Sequence, residues 1–212
     1  MGKATGVAKN LSGKIGNLVF KQQKDGTTNV SEVQKPSEKP LTDKQLAVHQ
    51  DTKITSNFIK CVEEFINVGY ELLAKSKNQN QNNTVASYIR KNTLTGVYPE
   101  RRVDLSKVLV AHGKMEIPED AVVGVAKEGF SFTWNTKIDA GMHYSDQVML
   151  MAYFPDLMQA RCKTAGAERR AGKDLLDLDG IENGYEAHLY IAFIKNDRKS
   201  ISNSVYLGQL SW

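Results

Sequence analysis

Only two cysteines occur in the 212-residue chain, Cys61 and Cys162, each with apolar residues a few positions away. That setting argues for two buried free thiols in a reducing compartment rather than a disulfide. No apolar run approaches the ~18 residues of a membrane span, and the opening MGKATGVAKNLSGKIGN has no apolar stretch behind its lysines. A protein made and kept in the cytosol, with no membrane partner, is expected. Signatures of chemistry are missing too. There is no G-x-S-x-G elbow, and GKATG and SGKIGN miss the spacing of a phosphate loop. His49, His112, His143 and His188 fall on different expected elements without metal-ligand spacing. Asp177, Asp179 and Glu182 in LDLDGIENGYE lack the calcium-loop ligand pattern. His143 with Asp139 and Asp146 reads as an exposed loop, and Arg169, Arg170 and Lys173 as a basic turn facing water. No catalytic, cofactor-binding or metal-binding residue is assigned, and an enzyme is the least supported class.

What is present is an asymmetry of charge. The first 44 residues hold eight Lys against four acids, while the other 168 balance at twenty of each. This segment is rich in Gly and small polar residues around one short apolar stretch, so it has little with which to build a core. It reads as a basic arm, residues 1–41, that orders on contact with something else. Lys14 to Phe20 is β-prone, and Asp25-Gly26 is a hairpin turn joining strands expected near 15–23 and 28–34. Such a hairpin is marginal alone. Two destinations stay open to it, its own body or a neighbouring chain. The interface residues on the second reading are Lys14, Ile15, Leu18, Val19, Phe20 and Lys21, with the apolar side chains as anchors and the lysines as steering charges.

After the KPSEKPL linker, Thr42 and Gln45 form a capping box, and Leu41 and Leu46 a hydrophobic staple. Apolar residues at spacings of three and four then run from Ile54 to Leu73, predicting one amphipathic helix to about Lys75, a rod of roughly 45 Å. The tract KSKNQNQNN reads as a solvated loop, and a shorter helix follows from Asn83 or Thr84 to before Gly96. These helices make a hairpin over 42–96. From Val97 the texture becomes β-like, with strands expected near 105–111, 120–126, 129–134, 146–153, 158–165, 184–194 and 202–210. The fold class is therefore α+β: an N-terminal extended arm or hairpin, a long amphipathic helix plus a short one, and a C-terminal antiparallel Ig-like β-sandwich over 97–212 with Trp134 in its core.

The stretches SGKIGNLVF (Ser12 to Phe20), KPLTDKQL (Lys39 to Leu46), Phe132 to Trp134, and SNSVYLGQL (Ser202 to Leu210), in that order, resemble an uncharacterised family of Bacteroidota and their phages, the crAss-like group included. In the hairpin, KQQKDGTTNV stands where the family has aromatic and basic residues. The resemblance implies no enzyme activity, and in the phage setting a virion component, assembled in the bacterial cytoplasm. It leads to the expectation of a structural protein of the neck, ring or tail region that assembles through its N-terminal arm and long helix. Its partners would be further copies of itself in a ring and other virion proteins, with non-specific DNA contact left open. A cytosolic bacterial Ig-like protein-binding module and a nucleic-acid-binding accessory protein are the alternatives.

Overall fold

The computed structural model describes every residue except 1, 5, 7–9, 24, 36–38, 117–119 and 140, and it divides into two units, Met1–Thr42 and Asp43–Trp212. Lys24 of the expected hairpin and the first proline of the expected linker lie outside the described residues. In the first unit four short antiparallel strands, β1 (Gly2–Ala4), β2 (Gly13–Ile15), β3 (Leu18–Gln22) and β4 (Thr28–Glu32), form a sheet in the order β1-β4-β3-β2. The strand expected over 15–23 is broken. Ile15 pairs with Leu18, and Gly16-Asn17 turns the chain between them with Gly16 at φ 60°. Glycine at the first central position is what a two-residue II′ hairpin turn requires. The second hairpin falls where Asp25-Gly26 predicts it, with a longer loop. The Gln23 N–H donates to the Thr27 carbonyl at 2.7 Å, and Gly26 takes a left-handed φ of 77°.

The second unit begins with helices α1 (Asp43–Cys61), α2 (Glu63–Gly69), α3 (Glu71–Ser76) and α4 (Gln81–Asn92). The start at Asp43 is where the sequence signals place it. The single straight rod is corrected to three segments, because Val62 (φ −114°, ψ 18°) and Tyr70 (φ −112°, ψ 3°) leave helical geometry. The hydrogen-bond ladder still crosses both breaks, Ile66 N to the Val62 carbonyl at 3.1 Å and Ala74 N to the Tyr70 carbonyl at 2.9 Å. The helical stripe can therefore turn to follow the surface that it covers. Part of the polar tract is helix rather than loop: Asn80 Oδ1 accepts from Asn82 N at 2.7 Å and caps α4. A small hairpin of β5 (Leu94–Thr95) and β6 (Arg102–Val103) follows, and Arg101 grips Asp51 of α1 through two hydrogen bonds of 2.7 and 3.0 Å.

The segment 105–111 is not a strand. Asp104 Oδ1 accepts from Ser106 N and caps a 3-10 turn at Leu105–Lys107, after which the chain runs extended and partly buried. Three tyrosine hydroxyls hold its alternate carbonyls: Tyr190 donates to Leu105 at 2.7 Å, Tyr88 to Lys107 at 3.3 Å and Tyr70 to Leu109 at 2.8 Å. Side chains thus occupy acceptors that a neighbouring strand would have taken.

Beyond it come β7 (Val122–Ala126), β8 (Gly129–Thr133), β9 (Gln147–Phe154), β10 (Gln159–Lys163), β11 (Lys173–Asp177), β12 (Glu186–Ile194) and β13 (Val205–Ser211). They form two antiparallel sheets, β10-β9-β12-β13 and β11-β8-β7. The central strands β9 and β12 are apolar on both faces. Met149, Met151, Tyr153, Tyr190, Ala192 and Ile194 pack under the helices with Phe58, Val62, Phe65, Ile66, Val85 and Ile89. Val148, Leu150, Ala152, Phe154, Ile191 and Phe193 face Phe130, Phe132, Trp134 and Leu176 of the other side. The result is a helical layer, a four-stranded sheet and a three-stranded sheet, with a core in each gap.

Candidate assembly surface

In an antiparallel sheet, residues directly opposite each other point to the same face. The register of the N-terminal sheet therefore sorts its side chains without ambiguity. Ile15 stands opposite Leu18, and Phe20 opposite both Gly13 and Val30. One face thus carries Ile15, Leu18, Phe20 and Val30, with Glu32 opposite Leu18 and Gln22 opposite Thr28 at its ends. On the other, Lys14 is opposite Val19, Val19 opposite Ser31, and Asn29 opposite both Lys21 and Lys3. Lys3, Lys14 and Lys21 share that second face.

The six expected interface residues therefore divide: Ile15, Leu18 and Phe20 on the apolar face, Lys14, Val19 and Lys21 on the lysine face. Neither face is covered into a core. Ile15 is 56% exposed and Leu18 40%, all three lysines are exposed, and Thr28 is the one buried residue among those described in the sheet. A sheet of this size with both faces open has no interior from which to draw stability. Its outer strands, β1 and β2, also leave backbone edges of the kind to which another chain can add.

The other polar candidates behave differently. Asp139, His143 and Asp146 do not make one exposed cluster, since Asp146 is buried and its Oδ2 accepts from His143 N at 2.8 Å. The expectation that Arg169 faces water is overturned. Its side chain is fully buried, with Nε 3.3 Å from Asp146 Oδ2 and the guanidinium carbon 3.9 Å from the centre of the Phe193 ring. Arg170 and Lys173 do face solvent. Burial draws the Arg169 pKa below its ordinary value, and the Asp146 carboxylate opposes the fall. The Arg169 carbonyl accepts from Trp134 Nε1 at 2.7 Å, so this pair ties the loop before β9 to the core tryptophan. Its role is architectural: the guanidinium is walled in on an aromatic ring.

Asp177 Oδ1 accepts from Asp179 N at 2.9 Å, a turn-forming bond, and among the described residues no three His, Cys, Asp or Glu side chains gather as metal ligands. Cys61 and Cys162 are both free and half-buried. Burial pushes the Cys162 thiol up to about 12. Among the described residues no helix is long and apolar enough to cross a membrane.

The separation of lysine from apolar residues was hidden in the sequence because it depends on the turn at Gly16-Asn17. Read as one strand, 14–20 puts Ile15 on the face opposite Leu18 and Phe20. The two-residue turn brings all three together. A Gly-Asn pair between β-prone residues was the available signal.

These features define an α+β protein of two units, an open amphipathic sheet and a body of helices laid over paired antiparallel sheets. The chain belongs to the family described as "Family of unknown function (DUF6266)", whose model matches residues 10–208 and so takes in both units. No curated protein and no solved structure matches it.

Proposed function

We propose that the chain is a structural subunit of a phage particle, of its neck, ring or tail region, and that it assembles through its N-terminal sheet onto a neighbouring copy. The observation that carries the assembly reading is the open sheet itself, with Ile15, Leu18, Phe20 and Val30 on one face and Lys3, Lys14 and Lys21 on the other. The particle setting rests on the resemblance of the segments around 12–20, 39–46, 132–134 and 202–210 to the phage-associated family. The reading gives the chain no catalytic role and no cofactor. Further virion proteins would be the other partners.

Magnitudes shape the proposal. Four strands about 4.8 Å apart and up to five residues long present roughly 250 Å² per face. A stable interface needs about 800 Å² per partner. The sheet alone is therefore too small to hold two copies together. It suits a head-to-tail contact repeated around a closed ring, where the contact that closes the ring is intramolecular. The seven strands of the body support an Ig-like sandwich: three of them, β7, β8 and β11, face the other four across a shared core that contains Trp134.

Light scattering on the full chain tests the assembly reading. The expected result is an oligomer that falls to monomer in an Ile15→Lys, Leu18→Lys variant with unchanged circular dichroism. A wild-type monomer at every concentration, or a variant oligomer of unchanged mass, would refute it. The lysine face favours a second reading, non-specific contact with DNA. Three phosphate contacts would give a slope of about −2.7 in log K against log salt.

A further inference from the structure

The C-terminal unit holds a polar cleft of about 380 Å³ between the end of α3, the outer face of α4 and the extended segment that reaches His112. Lys77, Lys91 and His112 line it together with the donors Gln79 and Ser87. No carboxylate is among its lining residues, and neither lysine has an ion-pair partner among the described residues. Lys75, two residues before Lys77, is by contrast paired with Glu71 at 2.6 Å, and Lys107 with Asp104 at 2.9 Å. Two ammonium groups without a counter-charge thus border one concavity that holds no acid.

The walls are held by bonds that leave these groups free. The Tyr88 hydroxyl donates to the Lys107 carbonyl at 3.3 Å and the Tyr70 hydroxyl to the Leu109 carbonyl at 2.8 Å, which fixes the extended segment against the helices. His112 N donates to the Gly69 carbonyl at 3.0 Å, so the histidine backbone is anchored at the α2–α3 junction. Its ring lies 6.2 Å from that of Tyr70. A preformed concavity bordered by two ammonium groups, an imidazole and neutral donors, with no acid to compete, suits a multiply charged oxyanion. Its volume is that of a small-molecule site.

We infer that this cleft binds the phosphate groups of a small phosphorylated molecule. Lys77 and Lys91 supply the charge, and His112, Ser87 and Gln79 supply directional hydrogen bonds. The inference is independent of the assembly role, since none of these residues belongs to the N-terminal sheet.

Isothermal titration of the full chain with inorganic pyrophosphate, and separately with orthophosphate, tests it. The expected result is one saturable site per chain, with pyrophosphate the tighter ligand. Lys77→Ala, Lys91→Ala should weaken pyrophosphate at least tenfold without moving the thermal midpoint of the free protein. A Lys3→Ala, Lys14→Ala, Lys21→Ala variant should bind as wild type does, and the His112 ring resonances should shift on titration. Absence of a saturable isotherm, equal binding by the Lys77/Lys91 variant, an unmoved His112 signal, or loss of binding in the N-terminal variant instead would each overturn the assignment. None of these outcomes bears on whether the chain assembles.

Discussion

Arg169→Met offers the sharpest test of what holds the second unit together. The substitution keeps an unbranched side chain over Phe193 but removes a fully buried cation, leaving the Asp146 carboxylate buried with the His143 amide as a remaining partner. Breaking a buried pair by removing one partner costs about 3–5 kcal/mol. For a unit of this size each kcal/mol moves the thermal midpoint by about 2–4 °C, so a fall on the order of 10 °C is expected. Asp146→Asn in the same background should return most of that loss, because an amide needs no counter-charge and still accepts from His143. The assay is urea unfolding followed by Trp fluorescence for wild type, both single variants and the double. The coupling energy is the difference between the double variant's cost and the sum of the singles. Burial also makes the pair insensitive to ionic strength. If Arg169→Met costs under about 1 kcal/mol, or single and double variants are equally destabilised, packing on Phe193 rather than charge is what the guanidinium contributes.

Tyr70→Phe and Tyr190→Phe each leave a main-chain carbonyl without its hydroxyl donor and should cost about 1–3 kcal/mol in urea melts, with Tyr88→Phe milder because its bond is longer and its ring half-exposed. Burial raises the pKa values of Tyr70 and Tyr190 and pushes Tyr153 up to about 12. The folded state therefore holds these protons more tightly than the unfolded chain. Stability should be fully present below pH 10 and fall as pH rises past it; a flat stability profile between pH 9 and 12 would contradict the buried hydroxyls. The Cys162 thiol, with its pKa pushed up to about 12, should react far more slowly with a disulfide reagent at pH 8 in the native protein than in urea. Equal rates would show the thiol to be open.

Much of the body was legible because its signals are local. The start of α1 at Asp43 and the strands β7, β8, β9, β10, β12 and β13 follow from capping residues, turns and apolar runs that a short window contains. What was lost depended on partners distant in sequence. Segment 105–111 has the composition of a strand, and only the tyrosines at 70, 88 and 190 reveal why it makes no ladder. β11, written KDLLD, has too few apolar residues to announce itself and exists because β8 lies beside it. The bends at Val62 and Tyr70 break no periodicity. Arg169 gave no sign of burial, since its counter-charge lies at Asp146 and its ring at Phe193. For the N-terminal surface, composition showed a lysine-rich segment poor in apolar residues, but its four-stranded sheet and the sorting of its side chains waited on a single turn.

β9 and β12 form a party wall. Met149 and Leu150 are adjacent in sequence, yet they serve different rooms, and so do Ala192 and Phe193. Nothing but one thickness of backbone separates them, so a bulkier residue on one side displaces the wall into the other. The helices cannot peel away and leave the sheets behind intact, because the same two strands would then show an apolar flank to water. Denaturation of this unit should therefore run as a single event, with the amides of β9 and β12 the last to exchange with solvent.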